Sequence, residues 1–173
     1  MNTLRFNPPS EWRGGNFNFY FLGFCKMLEY LENKLDYKNS NLRMLEIGSY
    51  KGESTLLFAS LGIFSEIHCV DPFSGYEEAN DIFQDNWDNV KHEFKTNTRY
   101  FDNIMLHQNF SYNIADKFQD NYFDFIYIDA DHSYDGVKRD IELYLPKCRG
   151  IIGGHDYHEE WPGVISALSL IHI

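Results

Sequence analysis

Five short runs of apolar, β-favouring residues recur along the chain, separated by longer segments with helical spacing of apolar residues. The predicted strands lie at residues 43–48, 66–70, 104–108, 123–128 and 150–154. Strands that alternate with helices form a parallel sheet covered on both faces, joined by right-handed crossovers. We therefore expect an α/β fold with a doubly wound, mostly parallel sheet and helices on both faces.

The helical segments are predicted at residues 17–34, 54–61, 77–95, 112–118, 133–145 and 162–170. In the fifth segment, an apolar face suited to the sheet contains Val137, Ile141, Tyr144 and Leu145. We divide the chain into an N-terminal loop and helix, residues 1–40, that pack on the core, and a sheet domain at residues 41–173.

The charge of the chain argues against a nucleic-acid substrate. The formal net charge is -11 and the pI is about 4.9. Phosphate contacts supply much of the affinity of nucleic-acid binders, which usually carry a basic face. We find no cluster of Lys and Arg, so a small molecule or a neutral sugar is the better expectation for a partner.

The three cysteines and the N-terminus predict a cytoplasmic protein without membrane contact. Cys25, Cys69 and Cys148 are far apart and have no metal-binding spacing, which is typical of reduced thiols. The N-terminus has no apolar stretch of the kind found in signal peptides. The apolar run at residues 17–25 is too short to span a bilayer.

Two glycines flank the first connection between strand and helix. Gly48 ends the first predicted strand and Gly52 opens the next helix. Glycine lets the backbone turn tightly and approach a ligand closely, and a helix N-terminus offers free N–H groups to an anion. The spacing differs from that of dinucleotide-binding loops. The alternative is an ordinary glycine-rich turn.

An aspartate, Asp71, ends the second predicted strand. An acidic side chain at this place can accept hydrogen bonds from the two hydroxyls of a ribose. The alternative is a turn aspartate before Pro72. Together with the glycines, Asp71 favours a nucleoside ligand at this edge of the sheet.

Residues 46–52 (Glu-Ile-Gly-Ser-Tyr-Lys-Gly) resemble the first motif of class I S-adenosylmethionine-dependent methyltransferases, and residues 68–71 (His-Cys-Val-Asp) resemble the second. The resemblance implies a Rossmann-like domain and S-adenosylmethionine as cofactor. Residues 109–111 are similar to the segment that borders the adenine. The cofactor contacts that this resemblance and the glycine turn predict are Glu46, Gly48, Ser49, Gly52, Asp71, Phe110 and Ser111.

Acidic and histidine residues follow the fourth and fifth predicted strands. These are Asp129, Asp131, His132, His155 and Asp156. Neighbouring strand ends would bring them to one cleft, where carboxylates suit Mg²⁺ or Mn²⁺. Such an ion can lower the pKa of an acceptor hydroxyl, and an adjacent carboxylate or imidazole can take the proton. The alternative is that Asp131 caps a helix and the histidines are structural.

Residues 129–137 and 153–157 resemble the bacterial methyltransferases related to the macrocin and sugar O-methyltransferases, and more distantly the cation-dependent catechol-type enzymes. The resemblance implies that Asp129 and Asp156 bind a metal and that Asp131 is the base, with His132 as a second catalytic candidate. His155 stands where relatives often have an acid. We count it among the metal ligands, where it favours a softer ion. Asp129 is also expected to contact the cofactor.

Members of this fold add two strands after the last helix, whereas this chain stops at Ile173. We therefore expect a sheet that lacks the last two strands; the alternative is that the sequence is incomplete. The open edge of its fifth strand would then favour a homodimer.

The predicted function is methyl transfer from S-adenosylmethionine to a hydroxyl of a small molecule or sugar, with a divalent ion assisting. A nicotinamide-dependent oxidoreductase is one alternative, against which the glycine spacing and Glu46 argue. A binding protein that kept the fold and lost catalysis is the other. The acidic residues at the strand ends argue against that reading.

Overall fold

A computed structural model describes residues 17–35, 38, 41–74 and 86–169. After the first helix, α-helices alternate with strands except between the third and fourth strands, which two 3₁₀ turns connect. The α-helices and strands are α1 (Phe17–Lys34), β1 (Leu42–Ile47), α2 (Glu53–Ser60), β2 (Phe64–Val70), α3 (Trp87–Thr98), β3 (Ile104–His107), β4 (Phe123–Ile128), α4 (Tyr134–Tyr144), β5 (Cys148–Gly154) and α5 (Pro162–Ser169). Within the described ranges, no helix combines the length and the apolar character needed to cross a membrane.

The strands form one parallel sheet in the order β3-β2-β1-β4-β5. The strand order reverses between β1 and β4, where the chain crosses from one half of the sheet to the other. Such a reversal opens a crevice at the carboxyl ends of the strands, which is where ligands bind in open α/β sheets. The predicted fold class is confirmed, and the five strands in the described residues are fewer than the usual seven.

Successive residues of the central strands point to opposite faces of the sheet, so each face has its own core. On β1, Met44 belongs to a cluster with side chains of α1, α2 and α3, while Leu45 belongs to a second cluster with α4 and α5. All residues of β4 are buried. A fully buried strand reads as a continuous apolar run, which explains why the sequence predicts this element so clearly.

Helix α1 packs on the first of these cores. Leu28 and Leu31 are buried in it, and the Phe24 ring lies 5.2 Å from that of Phe58. The division of the chain at residue 40 stays a prediction. The predicted loop at residues 8–16 lies outside the described part of the chain.

Helix α3 begins later than predicted. The side chain of Asn86 accepts hydrogen bonds from the backbone of Asp88 and Asn89, and Asn86 itself has extended backbone angles. Asn86 is therefore an N-cap, and a continuous helix over residues 77–95 is wrong. The residues before it, 75–85, lie outside the described ranges.

The predicted helix at residues 112–118 is instead two 3₁₀ turns, Ser111–Asn113 and Ala115–Lys117. Ile114, with φ -124 and ψ -3, separates them, and its side chain is buried in the core. Leu145 is also exposed rather than on the sheet. It begins a further 3₁₀ turn that contains Pro146, and this turn rotates Leu145 away from the buried face of α4.

Candidate active site

The glycine turn, residues 48–52, connects β1 to α2 at the carboxyl edge of the sheet. Gly48 and Gly52 have φ of 87° and 76°, in the region that favours glycine. A Cβ on Gly48 would come within 1.9 Å of the carbonyl oxygen of Asp129. The turn therefore lies directly against the end of β4, and no larger residue fits at position 48.

Asp71 holds the glycine turn and the start of the next loop together. Its Oδ2 accepts the N–H of Tyr50 at 2.8 Å, and its Oδ1 accepts the N–H of Phe73 at 2.7 Å. Burial raises the pKa of the Asp71 carboxyl, and these amide donors lower it in part. Each oxygen has a second lone pair, so the carboxylate can still accept hydrogen bonds from a ligand.

Glu46 lies beneath the glycine turn and is completely buried. The Ser54 hydroxyl donates to it at 2.5 Å, the Thr55 hydroxyl also donates to it, and Cys69 Sγ lies 3.8 Å away. Burial raises the pKa of Glu46 to about 7, although these hydroxyls and that of Ser49 oppose the shift. In this structure Glu46 ties β1 to α2, and its contact with a cofactor stays a prediction.

The segment predicted to border the adenine is anchored to α4. The Ser111 hydroxyl donates to Asp140 at 2.5 Å, and the Tyr144 hydroxyl donates to the Ser111 carbonyl at 2.8 Å. Burial raises the pKa of Asp140 to about 6. The Phe110 ring stacks on Tyr112 at 5.3 Å. Ser111 thus points into the protein, and the predicted cofactor contacts of Phe110 and Ser111 remain untested.

Sequence reasoning missed the role of Asp140. The signal was present, because Asp140 falls on the same helix face as Val137 and Tyr144, which were predicted to face the sheet. An acid on a buried helix face needs a hydrogen-bond partner.

An acid–histidine cluster, consisting of Asp129, His132 and Asp156, forms where β4 and β5 end. Each residue offers one ligand atom, and these atoms all lie within 4.8 Å of one another. His132 Nε2 is 2.8 Å from Asp156 Oδ2 and 3.6 Å from Asp129 Oδ1. The backbone N–H of Asp129 donates to Ile47, which fixes the cluster beside the glycine turn.

The charges in this cluster stabilise one another. Burial lowers the pKa of His132, but hydrogen bonds and attraction from Asp129 and Asp156 outweigh it and raise the pKa to about 9. Burial raises the pKa of Asp156, but His132 and His155 hold it well below its usual range. Two carboxylates and an imidazole this close together fit a divalent cation in number, donor type and spacing.

The remaining predicted residues differ in their distance from the cluster. His155 Nδ1 lies 2.9 Å from Asp156 Oδ1 and 4.0 Å from Asp129 Oδ1, so His155 borders the cluster. Asp131 instead turns towards α4, where its Oδ1 accepts the N–H of Ser133 at 2.9 Å. Its Oδ2 is 3.9 Å from the Arg139 guanidinium. Asp131 therefore closes the turn before α4, whose N-cap is Ser133, and a catalytic role of Asp131 stays a prediction.

Trp161 is a member of the site that the sequence did not reveal. Its ring lies 4.4 Å from that of His132, tilted by 30°. Gly163 brings α5 close to the same loop, since a Cβ there would lie 2.5 Å from the His132 carbonyl oxygen. This contact depends on how α5 packs on the loop after β4, which no local pattern encodes.

A family model described as a methyltransferase domain matches residues 45–157, well over half of the chain. The match covers the glycine turn, Asp71 and the acid–histidine cluster. No curated protein is a significant match to the sequence.

Many solved structures resemble this fold. A Corynebacterium glutamicum protein has a TM-score of 0.63 at 10% identity, over 87% of this chain and 70% of that chain. The O-methyltransferase NovP has a TM-score of 0.63 at 14% identity, over 87% of this chain and 69% of that chain. A candidate caffeoyl-CoA O-methyltransferase from Staphylococcus aureus has a TM-score of 0.62 at 17% identity, over 87% of this chain and 72% of that chain. At these identities the likeness establishes the fold.

Proposed function

The chain belongs to the family of methyltransferase domains, and from this premise we propose that it methylates a hydroxyl of a small molecule or sugar with the help of a divalent ion. That it is an S-adenosylmethionine-dependent methyltransferase follows from the family. The nicotinamide-dependent alternative is set aside for the same reason. The hydroxyl acceptor and the ion are the parts that we propose.

The cofactor supplies an electrophilic methyl group on a sulfonium ion. We infer that the glycine turn lies along its methionine part and that Asp71 accepts hydrogen bonds from its ribose. Gly48 and Gly52 allow the close approach, and the N-terminus of α2 offers backbone N–H groups to a carboxylate. Because the turn is already held by Asp71, binding would require little rearrangement of the backbone.

Methyl transfer to a hydroxyl requires that the oxygen lose its proton while the carbon–oxygen bond forms and the carbon–sulfur bond breaks. We infer that Asp129 and Asp156 would hold Mg²⁺ or Mn²⁺, and such an ion would lower the pKa of an acceptor hydroxyl. The proton would pass to an imidazole or carboxylate of the same region. These assignments rest on the proximity of the two carboxylates.

One observation carries the proposal. Gly48 packs so closely on Asp129 that a Cβ would lie 1.9 Å from the Asp129 carbonyl. The turn expected to hold the methyl donor and the cluster expected to hold the acceptor therefore share one edge of the sheet. An acceptor oxygen bound beside Asp129 would lie within reach of a methyl group held at Gly48.

Two measurements test the proposal. Calorimetry with S-adenosylhomocysteine should show binding to the full chain. A methylation assay on a panel of sugars, phenols, amines and carbon acceptors should show product only for the hydroxyl acceptors, with a rate that rises when Mg²⁺ or Mn²⁺ is added. Methyl transfer at the same rate after chelation of all metals would refute the metal-assisted part. Transfer only to nitrogen or carbon acceptors would refute the proposed acceptor class.

The predicted homodimer is a separate proposal that leaves the reaction unchanged. β5 is the last strand of the sheet and pairs with β4, so its other edge is open within the described residues. Sedimentation of the full chain would reveal a dimer, and a monomer at all concentrations would contradict it.

A further inference from the structure

We propose that His132 is a metal ligand rather than the base, and that its imidazole makes the site prefer a divalent transition-metal ion over Mg²⁺. The inference rests on the metal-assisted reaction proposed above and specifies the ion. It also changes the role predicted for His132, from proton acceptor to ligand.

The position of the imidazole nitrogen supports a ligand role. His132 Nε2 is 2.8 Å from an oxygen of Asp156 and 3.6 Å from an oxygen of Asp129. Ligand atoms about 2.1 Å from one ion lie roughly 3.0–3.4 Å from each other in octahedral and tetrahedral geometry. Both distances are within about 0.2 Å of this range, and the three ligand atoms all lie within 4.8 Å of one another, so small rotations of the side chains would bring them onto a common ion.

His155 is the other histidine at the site, but its geometry is that of a supporting residue. Its Nδ1 lies 2.9 Å from Oδ1 of Asp156, whereas His132 contacts Oδ2. The His155 side chain is 34% exposed, against 15% for that of His132. A hydrogen bond to the second oxygen of a ligating carboxylate orients that ligand. We therefore assign the ligand role to His132 and an orienting role to His155.

The surroundings of His132 fix its ring. The Trp161 ring lies 4.4 Å from it on one side, and the close contact of Gly163 with the His132 carbonyl fixes the backbone. Metal sites depend on ligands held in one orientation by their neighbours. Trp161 is thus a positioning residue that acts through His132.

The donor set determines which ion is preferred. Mg²⁺ favours oxygen ligands and keeps several waters, whereas imidazole suits first-row transition metals and zinc. Two carboxylates and one imidazole resemble the sites of Mn²⁺, Fe²⁺ and Zn²⁺ more than a magnesium site made of oxygens. The nitrogen of His132 therefore sets the selectivity.

The test uses the full chain after removal of metals with a chelator. Mn²⁺ and Mg²⁺ are titrated by calorimetry, and pulsed electron paramagnetic resonance of bound Mn²⁺ detects coupling to an imidazole nitrogen. The variants are His132→Asn and, as a matched control, His158→Asn. His158 is near Asp156 in the sequence, but its ring is exposed to solvent and lies beside Glu160. Binding of S-adenosylhomocysteine reports that each variant is folded.

We expect Mn²⁺ to bind at least about tenfold more tightly than Mg²⁺. His132→Asn should abolish the nitrogen coupling and lower the Mn²⁺ affinity at least about tenfold, while His158→Asn changes neither. Equal affinity for the two ions, or nitrogen coupling that persists in His132→Asn, would overturn the inference. If S-adenosylhomocysteine binds and no metal does, the inference fails but the methyltransferase assignment stands. If Mn²⁺ couples to His132 and no hydroxyl is methylated, the proposed acceptor class fails instead.

Discussion

The glycine turn and the acid–histidine cluster adjoin one another, yet different forces hold them in place. The turn is fixed by backbone hydrogen bonds, from Gly48 to Val70 and from Gly52 to Ser49, and by the carboxylate of Asp71. In the cluster, a backbone hydrogen bond from Asp129 to Ile47 fixes the position of the loop, but the side chains are held by attraction between their charges. A site made of backbone is rigid before its ligand binds, whereas a site made of charges changes with the ion or proton that it holds. The two halves should therefore respond to different perturbations.

The largest expected effect comes from Gly48→Ala, because Gly48 is the residue of the glycine turn that packs against Asp129 of the cluster. An alanine there would have an unfavourable φ and a Cβ within 1.9 Å of a backbone oxygen. We expect a loss of more than about 3 kcal/mol in the free energy of unfolding, measured with denaturant. Binding of S-adenosylhomocysteine and of Mn²⁺ should both be lost.

Gly62→Ala is the matched control for this variant. Gly62 also has a positive φ, of 67°, but a Cβ there meets no atom within 4 Å. It should cost only about 1–2 kcal/mol, the strain of a left-handed alanine. Equal losses for the two variants would mean that the contact between the two regions contributes nothing.

Glu46→Gln should stabilise the protein in a manner that depends on pH. The raised pKa of Glu46 means that the folded chain favours the protonated carboxyl. The protonated carboxyl contributes fully to the free energy of unfolding below pH 4.5, and this contribution is lost as the pH rises through about 7. Above pH 7 the glutamine variant should therefore be more stable by roughly 3 kcal/mol, with little difference near pH 4.5.

Denaturation of both proteins across this pH range measures the effect, and the dependence of the difference on pH is the decisive readout. A constant difference would show that Glu46 does not titrate in this range. If Glu46 also contacts the cofactor, the same variant will bind S-adenosylhomocysteine more weakly even though it is more stable.

Asp71→Asn should weaken cofactor binding at the glycine turn without affecting metal binding at the acid–histidine cluster. It replaces one acceptor oxygen by an N–H₂ group that faces a backbone donor, Tyr50 or Phe73. We expect the affinity for S-adenosylhomocysteine to fall about tenfold to a hundredfold, or roughly 1–3 kcal/mol, by calorimetry. Mn²⁺ affinity should be unchanged, as should both affinities in the exposed control Asp102→Asn. If Asp71→Asn weakened the binding of both the cofactor and Mn²⁺, the glycine turn and the acid–histidine cluster would not be independent of each other.

Asp156→Asn should weaken metal binding at the acid–histidine cluster and leave cofactor binding nearly unchanged. Asp156 has φ of 60°, which asparagine adopts readily, so the backbone should keep its course. Mn²⁺ affinity should fall about tenfold or more, because one charged ligand is lost. S-adenosylhomocysteine affinity should change by less than about twofold, because the hydrogen bonds that hold the glycine turn come from Asp71, Val70 and Ser49 and not from Asp156. A large loss of cofactor affinity would show that the cluster contributes to the cofactor site.

The sequence predicts the parts of this molecule that local patterns determine. Buried strands such as β4 are continuous apolar runs, and acids at strand ends such as Asp71 and Asp129 are brought together by parallel topology alone. The segment after β3 was mispredicted, because Ser111 is held by a distant residue, Asp140. Tertiary contacts of this kind override local propensity.

The candidate site shows the same division. The acids and histidines were identified from their positions after β4 and β5, but their arrangement was not. His132 belongs to the cluster and Asp131 does not, although the two are adjacent in sequence. Which of two neighbours points inward depends on the path of the backbone after the strand. Trp161 has no motif at all, because it reaches the site only through the packing of α5.

The contact of Gly163 with the loop after β4 has a consequence for protein engineering. Since the first turn of α5 lies on the backbone of His132, Ser133 and Tyr134 with no space for a methyl group, the two segments form one unit. Libraries that place a larger residue at position 163, or that change the backbone path of the loop alone, would disrupt this contact. Attempts to evolve a new acceptor preference should therefore diversify both segments together or exchange them as a single cassette.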